Sequence, residues 1–535
     1  MRLYVRSLFL LLALYGLVFA VGDLYLSRHG APVWVALAFA VAFAGLQYGI
    51  GPYLIQFFLK IRWDDLGTEL PVRNREFLLK ICADRGLKMP RIGIIESATP
   101  NAFTFGHVPS DARVVVTTGL LKILTPEESN AVLGHEMGHV EHRDFIVMTL
   151  AALVPLLLYQ LYAFTRGNNH GRPVALCAYI AYWVSQYIVF LLSRTREYFA
   201  DLYSARVTGA PDSLATALVK IAYGIFQADG ELGVALDNAS GKEKARFGRE
   251  RVRVGSMALM GISNLNAGQS LGLTGAGGAA AEAVMRWDLV NPWARLYELN
   301  STHPLTALRI RELNRESAAM HQAVSHPLPA GTQVHWGTFP FEVVLWAAPW
   351  LFGIAALIAI PFSHLHHLHQ FAPVSLSLAP ALLVFTGVAW ALRTWFRYSG
   401  TFQPATIGSL MEDVEVSQMR PRAVRLEGTI VGFGVPGAFY CADLVLRDST
   451  GIVFVLYKQS IPLARLLFAF SEAANYIGEK VVIDGWFRRG LRPYLEIGRL
   501  TSDFGKPLVT RSRTVQTAAA ALVTICGLAW LVMAR

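Results

Sequence analysis

Seven long apolar segments constrain the fold of this chain more than any other feature of its sequence. A helix needs about 20 mostly apolar residues to cross the hydrocarbon core of a bilayer, and each segment has roughly that length. The first segment could also be a cleaved signal peptide, and the third and fourth could be buried helices that lean against the membrane. The segments are Leu8–Leu26, Val33–Leu59, Phe145–Phe164, Val174–Leu192, Val343–Pro361, Pro373–Leu392 and Val515–Met533.

The composition and charge distribution agree with a multi-pass membrane protein that is mainly α-helical. Hydrophobic residues make up 53% of the chain and charged residues only 16%, whereas a soluble chain is about a quarter charged. The net charge of +10 has a simple origin, because membrane proteins concentrate Lys and Arg in cytoplasmic loops. Connections 60–144, 193–340 and 393–514 are rich in both residues, so we expect them to face the cytoplasm. Nucleic acid is not an expected partner.

The region 424–502 has the pattern of a small β domain. Five short strands are predicted, and Ile461–Tyr476 is predicted to be helical between the third and fourth strands. This is the strand and helix order of an OB-fold barrel. The predicted strands are Val424–Phe433, Asp443–Arg447, Ile452–Tyr457, Lys480–Phe487 and Tyr494–Thr501.

These patterns together predict five regions along the chain. They are two N-terminal transmembrane helices (1–59), a helical domain with a small sheet (60–340), a transmembrane hairpin (341–395), an OB-like β domain (396–512) and a C-terminal transmembrane helix (513–535). The motifs described below identify 60–340 as the candidate catalytic domain. The catalytic domain includes the candidate membrane helices at 145–164 and 174–192.

The sequence His135-Glu136-Met137-Gly138-His139 lies on a helix predicted to begin near Thr125. Histidines four residues apart project from one helical face and can bind one zinc ion. Glu136 can then accept a proton from a water molecule at the metal. A surface helix that carries two histidines by chance is the alternative. Gly134 and Gly138 would let a strand or a substrate approach the helix closely.

A catalytic zinc ion has three protein ligands and an open position. Glu197 and Asp201 are also four residues apart, at the end of the fourth apolar segment. One of them can bind the metal while the other orients a ligand histidine. Alternatively, these carboxylates are incidental members of a charged flank.

The chain resembles the integral-membrane zinc peptidases that include HtpX and the CaaX prenyl protease. Four elements carry the resemblance, in family order across residues 70–315: NAF (101–103), HEMGH (135–139), SRTREYFAD (193–201) and THPL followed by RI (302–305 and 309–310). Leu305 stands where many members have a second proline, two residues after His303. The OB-like region lies outside the resemblance.

The resemblance implies a gluzincin-type metalloendopeptidase with one Zn²⁺ per chain. It implies His135, His139 and Glu197 as zinc ligands, Glu136 as the general base and Asp201 as the residue that orients a ligand. His303, with Arg309 nearby, is implied to stabilise the oxyanion. The substrate cleft is implied to be lined by Asn101 and by the strand that contains Val115, Val116 and Thr117, and Arg309 is expected to be a further substrate-binding residue.

Three functions remain open from the sequence. The first is a quality-control endopeptidase of the inner (cytoplasmic) membrane, which cuts misfolded or surplus membrane proteins on the cytoplasmic side. The second is an enzyme that processes lipid-modified C-termini. The third is a scaffold without activity, which the intact Glu136 argues against. Polypeptide substrates and the lipid bilayer are the expected partners, and the oligomeric state is left open.

Overall fold

A computed structural model describes residues 32–97, 99–167, 171–222, 278–328, 333–363, 375–433, 441–459, 462–490, 493–502 and 507–533. Within these ranges, six helices are long and apolar enough to cross a membrane. They coincide with the second to seventh predicted spans, which confirms that these six segments form long apolar helices. The first predicted span, Leu8–Leu26, lies outside the described residues. The six helices are Leu37–Leu59, Asp144–Thr165, Arg172–Thr208, Phe339–Ile360, Leu378–Arg397 and Ser512–Met533.

The chain divides into two compact units. The first comprises residues 1–272 and 295–331, and the second comprises 273–294 and 332–535. The helices of the first unit are α1 (Val33–Leu59), α2 (Val72–Arg85), α3 (Thr118–Ile123), α4 (Pro126–Glu141), α5 (Asp144–Thr165), α6 (Arg172–Thr208), α7 (211–222) and α10 (Thr306–Ala319). Helix α8 (Gly278–Val290) belongs to the second unit. The division between the units falls within helix α9 (Pro292–Glu298).

The first unit contains a four-stranded sheet. Its strands are β1 (Arg62–Trp63), β2 (Arg91–Ile95), β3 (Ala102–Phe105) and β4 (Arg113–Thr117). They are arranged in the order β1-β2-β4-β3. Strands β2 and β4 are parallel, whereas β3 runs antiparallel to β4. Strand β3 is therefore an edge strand, and β4 has a neighbour on each side.

Helix α6 is longer than a membrane crossing requires. Its 37 residues extend over about 55 Å at 1.5 Å per residue, whereas a hydrocarbon core is about 30 Å thick. Its buried residues concentrate towards the C-terminal end, where Arg194, Glu197, Ala200 and Asp201 are all buried. The helix continues without a break beyond the predicted span. This continuity places Glu197 and Asp201 on one face of a rigid element.

The second unit combines three long apolar helices with a β barrel. Its helices are α8 (Gly278–Val290), α11 (Phe339–Ser363), α12 (Ser375–Arg397), α13 (Ile407–Glu412), α14 (Pro462–Ser471) and α15 (Ser512–Met533). Its strands are β5 (Gln403–Pro404), β6 (Arg422–Phe433), β7 (Asp443–Arg447), β8 (Ile452–Leu456), β9 (Lys480–Arg489), β10 (Pro493–Ser502) and β11 (Leu508–Val509).

The strand pairing closes the barrel. Strands β6, β7 and β8 form an antiparallel meander. Strand β8 pairs in parallel with β10, β10 pairs antiparallel with β9, and β9 returns antiparallel to β6. All five predicted strands are present, and α14 lies between the third and the fourth strands of this ring. Leu426, Leu444, Val455, Ile483 and Ile497 are among its fully buried residues.

Candidate active site

Helix α4 carries the paired histidines and begins where the sequence predicts. The Thr125 hydroxyl accepts a hydrogen bond from the Glu128 backbone N–H, and the Glu128 carboxylate accepts one from the Thr125 N–H. This reciprocal capping box satisfies two backbone donors at the helix start. Lys220 also binds the Glu128 carboxylate, with Nζ 2.7 Å from Oε1. These contacts hold the first turn of α4 in place.

The glycines of α4 allow close contact with helix α6. A Cβ atom added to Gly138 would lie 3.0 Å from Ala200 Cα, and one added to Gly134 would lie 3.2 Å from Ser204 Oγ. The Ser204 hydroxyl donates to the Ala131 carbonyl oxygen of α4. The expectation that these glycines admit a strand or a substrate was wrong. They bring two helices together, and this packing places Glu197 opposite the histidines.

His135, His139 and Glu197 converge on one point. Nε2 of His135 lies 3.2 Å from Nε2 of His139. The Glu197 oxygens lie 3.6 Å from His135 Nε2 and 3.8 Å from His139 Nε2. Ligand atoms at the corners of a zinc tetrahedron with bonds of about 2.0–2.2 Å are separated by about 3.3–3.6 Å. The spacing of these three side chains therefore fits a zinc ion.

A buried carboxylate oxygen supports the same conclusion. Glu197 Oε2 accepts no hydrogen bond from any residue that the structure describes, although it is buried and lies 3.3 Å from Arg309 Nη1. Buried polar atoms are normally satisfied. A cation bound between Glu197 and the histidines would satisfy this oxygen. Among the described residues, these three form the group that can hold a metal ion.

A carboxylate stands behind each histidine. Asp201 Oδ1 lies 2.9 Å from His135 Nδ1, and Asp144 Oδ2 lies 2.7 Å from His139 Nδ1. Such contacts hold the proton on Nδ1 and leave Nε2 as the metal-binding nitrogen. Asp201 was predicted as an orienting residue, but Asp144 was missed. A carboxylate five residues after the second histidine, directly before an apolar helix, is the signal that could have identified it.

The negative surroundings of His139 change its proton affinity. Burial lowers the pKa of His139, but the hydrogen bond that its imidazole donates to Asp144 and the charges of Glu197 and Glu136 outweigh burial and raise the pKa to about 9. These carboxylates stabilise positive charge at the imidazole. They would stabilise a divalent cation at the same position, so the charge of the site also fits zinc.

Two arginines bind the carboxylates that stand behind the histidines. Arg196 Nε donates to Asp144 Oδ1 at 2.5 Å. Arg309 donates to both oxygens of Asp201, with Nε at 2.8 Å and Nη2 at 2.6 Å. Its side chain is only 2% exposed. The carboxylates raise the pKa of the Arg309 guanidinium, although burial alone would lower it. Arg309 therefore lies within the structure of the site, where no substrate group can reach it in this arrangement.

Glu136 and His303 lie beside the metal-ligand group. Thr104 Oγ1 of strand β3 donates a hydrogen bond to Glu136 Oε2 at 2.6 Å. His303 Nδ1 lies 3.2 Å from Glu197 Oε1, and its side chain is 20% exposed. The Ser301 hydroxyl donates to the His303 carbonyl oxygen and accepts from its N–H. The structure thus brings His303 to the site from a separate part of the chain.

The strand expected to line the cleft is buried instead. Val115, Val116 and Thr117 belong to β4, have at most 1% exposure and are flanked by β2 and β3. They have no free strand edge for a peptide, so this expectation was wrong. Asn101 is also buried, and its carbonyl oxygen accepts from the Thr117 N–H. The edge strand of this sheet near Glu136 is β3, which contributes the partly buried Thr104.

Comparison with known proteins agrees with this site. The sequence model of peptidase family M48 matches residues 74–317. A protease HtpX homolog of Methanothermobacter thermautotrophicus is 38% identical over 224 residues, which cover 41% of this chain and 84% of the relative. Protease HtpX homolog 2 of Methanosarcina acetivorans is 34% identical over 226 residues, which cover 40% of this chain and 75% of the relative.

A crystal structure of S. mikatae Ste24p shares 17% identity with this chain, and the match covers 47% of this chain and 65% of the Ste24p chain with a TM-score of 0.33. The two HtpX relatives are matched over most of their own length, and the family model spans all the residues of the metal-ligand group. This chain is therefore a membrane protein of peptidase family M48, related to the HtpX proteases.

Proposed function

We propose that this chain is a zinc-dependent endopeptidase that hydrolyses peptide bonds of misfolded or surplus membrane proteins. The observation that carries the proposal is the convergence of His135, His139 and Glu197, with a carboxylate behind each imidazole and Glu136 beside the group. This is the arrangement of a gluzincin-type site, in which two histidines and a glutamate hold one zinc ion. Asp144 and Asp201 are positioning residues in this proposal.

Three residues of this chain, Glu136, Thr104 and His303, have separate roles in the proposed hydrolysis. Zinc, when bound by the three ligands, supplies a Lewis acid that polarises the scissile carbonyl and lowers the pKa of water. Glu136 accepts the proton of the attacking water and then delivers it to the leaving amine. The Thr104 hydroxyl holds the Glu136 carboxylate through its hydrogen bond. His303, partly exposed beside Glu197, donates a hydrogen bond to the oxyanion.

The edge of β3 supplies a backbone for substrate recognition. A peptide that pairs with β3 as an added strand would form main-chain hydrogen bonds that carry no side-chain information. Thr104 lies on this strand and contacts Glu136, so the added strand would pass close to the general base. This mode of binding would allow one site to cleave misfolded proteins of unrelated sequence.

We place the active site on the cytoplasmic side of the inner membrane. Helices α5 and α6 form one pair of crossings, and α11 and α12 form another. Connections 60–143, 209–338 and 398–511 therefore lie on one side of the bilayer. They carry most of the Lys and Arg residues, which is the pattern of cytoplasmic segments.

We further propose that the barrel is an OB-fold, because its pairing order and the place of α14 have that pattern.

The decisive experiment compares wild type with Glu136→Gln in zinc content and in cleavage of an unmodified membrane protein. Both proteins should bind one zinc ion, and only wild type should cleave. Equal cleavage by both, or a wild type without bound metal, would overturn the proposal. A prenylated peptide offered in parallel separates this function from C-terminal processing. Cleavage of that peptide alone would favour the processing enzyme.

A further inference from the structure

The barrel of the second unit carries an exposed apolar stripe that the peptidase function does not use. Leu463, Leu466, Leu467 and Phe470 of helix α14 have exposures of 61%, 53%, 58% and 53%. They are spaced three or four residues apart, so they share one face of the helix. The opposite side is occupied, since the Phe468 ring lies 4.1 Å from the Tyr457 ring. Four large apolar side chains thus face outward from a ten-residue helix.

The contacts of two membrane helices identify the end of the barrel that faces the bilayer. Tyr398, directly after α12, donates a hydrogen bond to Glu496 of β10 at 2.5 Å. Ser512, the first residue of α15, donates to the Lys458 carbonyl oxygen at 2.7 Å. Glu496 is the register partner of Leu456 in β8. Both membrane helices therefore meet the same end of the barrel, where β8 finishes.

Helix α14 starts close to that end. Four residue steps separate Lys458 from Pro462, which limits the distance between their Cα atoms to about 14 Å. Gln459 also contacts the start of α15, because its side-chain oxygen accepts from the Arg511 N–H. The apolar stripe therefore begins next to the point where α15 enters the membrane.

Basic side chains surround the same end of the barrel. Arg393 and Arg397 lie in the last turns of α12, Lys458 follows β8, and Arg511 and Arg513 lie at the start of α15. Arg393, Lys458, Arg511 and Arg513 make no ion pair with a carboxylate in the described part of the chain. The nearby carboxylate, Glu496, is bound by Arg488 and Tyr398. The positive charge of this end is therefore in excess.

We propose that α14 and this basic end form a surface that docks on anionic phospholipid. The apolar stripe lies in the boundary between headgroups and acyl chains, as amphipathic interfacial helices do. The cations bind the lipid phosphates, as basic residues next to membrane helices do on an anionic leaflet. The occupant is lipid rather than a protein because two membrane helices hold this end of the barrel at the bilayer. The docked surface fixes the orientation of the barrel relative to the membrane.

The position of the stripe is tested with a fluorescent label at Leu466→Cys in the full chain. The exposed native cysteines, Cys177 and Cys526, are replaced by Ser, whereas Cys82 and Cys441 are buried. The control label is at Ser449→Cys, in the exposed hairpin that precedes β8. This hairpin lies at the opposite end of β8 from Leu456, and the two ends of the strand are about 13 Å apart. Each protein is reconstituted in vesicles of phosphatidylcholine and phosphatidylglycerol.

A nitroxide on the lipid acyl chain should quench the Leu466 label several-fold more than the Ser449 label, and a water-soluble nitroxide should do the reverse. If the water-soluble nitroxide quenches both labels equally, the stripe is solvated and the proposal is wrong. If neither quencher reaches the Leu466 label, a protein covers the stripe, which overturns the proposal as well.

The basic part of the surface is tested by phospholipid retained on the purified full chain. The triple variant Lys458→Gln, Arg511→Gln, Arg513→Gln should retain about tenfold less phosphatidylglycerol, because each charge contributes to the attraction. The matched control is Arg425→Gln, Arg447→Gln, Arg499→Gln, three exposed arginines elsewhere on the barrel. Equal retention by both variants would contradict the proposal, as would complete displacement of the lipid by inorganic phosphate.

Discussion

Nδ1 of His139 lies 2.7 Å from Oδ2 of Asp144, five residues further along the chain. The contact depends on a tight turn at Arg143, whose φ of 57° is in the left-handed region. Arg196 of helix α6 binds the other oxygen of Asp144. Asp144 therefore connects His139, a proposed zinc ligand, both to the start of helix α5 and to the helix that carries Glu197.

Asp144→Asn should weaken zinc binding by roughly 10- to 100-fold, the usual effect of removing a carboxylate behind a ligand histidine. The amide keeps the size of the side chain but loses the charge that orients the imidazole. Competition with a chelator measures the affinity. The control is Asp65→Asn, because Asp65 is exposed and pairs with Arg91 away from the site. Unchanged zinc affinity in Asp144→Asn would show that this carboxylate does not position His139.

Arg309→Gln should destabilise the first unit by about 3–5 kcal/mol, the cost of leaving buried charges without their partner. Arg309 is the arginine that contacts both Asp201 and Glu197. Thermal unfolding of the purified protein measures the loss. Arg315→Gln is the matched control on the same helix, because Arg315 is exposed and pairs with the exposed end of Glu312 away from Asp201 and Glu197. Equal unfolding temperatures for the two variants would contradict the assigned role.

The sequence allowed the helices and the convergence of His135, His139 and Glu197 to be predicted for identifiable reasons. A membrane span is predicted from the length and apolar composition of a segment, and both can be read directly from the sequence. The four-residue spacing of His135 and His139, and of Glu197 and Asp201, sets a helical face without any tertiary information. The five strands of the barrel were located from the alternation of apolar and polar residues and from the turn residues between strands. Both are local signals in the sequence.

The roles that depend on tertiary packing were not predictable in the same way. Whether β4 is an edge or an inner strand depends on which strands pair with it, and its own residues do not encode that. The roles of Gly134 and Gly138 depend on the approach of α6 from far along the chain. Thr104 was missed because a lone threonine on a strand has no pattern that points to Glu136. Arg309 was assigned to the substrate because its burial is invisible in the sequence.

Thr104→Val should lower kcat by roughly tenfold, because a hydrogen bond to a charged group contributes about 1.5–3 kcal/mol. Valine preserves the shape of the side chain but cannot donate to Glu136. Zinc content should stay at the wild-type value, since Thr104 hydrogen-bonds to Glu136, which is not one of the three proposed ligands. Thr104→Ser retains the hydroxyl and should recover most of the activity. If the serine variant is as impaired as the valine variant, packing rather than the hydrogen bond explains the loss.

Gly138→Ala should destabilise the protein by about 1–3 kcal/mol, the typical cost of overpacking a close contact. The added Cβ would lie 3.0 Å from the Ala200 backbone, and helix α6 would have to move away. Glu197 lies one turn before Ala200, so zinc affinity should fall as well. Gly45→Ala in helix α1 is the control, because a Cβ there meets no atom within 4 Å. A stable Gly138→Ala protein with normal zinc affinity would exclude this account of the glycine.

Glu496 should make the barrel sensitive to acid. Burial raises the pKa of Glu496, but Arg488, Lys458, Arg397 and the Tyr398 hydroxyl outweigh it and lower the pKa from 4.5 to about 2. A carboxyl group whose pKa is depressed by folding stabilises the folded state above its unfolded pKa, and this contribution is lost as the pH falls towards the folded value. The stability that Glu496 provides is therefore complete above about pH 4.5 and disappears on approach to pH 2.

Thermal unfolding of the full chain in detergent, measured across this pH range, tests the expectation. Glu496→Gln should be less stable than wild type at neutral pH, because Arg488 is then buried without its carboxylate partner. The difference between the two proteins should shrink as the pH falls below 4.5, since the wild-type carboxylate becomes protonated. Glu427→Gln, an exposed change on β6, should follow wild type throughout. A constant difference between wild type and Glu496→Gln over the whole range would show that the charge of Glu496 does not stabilise the barrel.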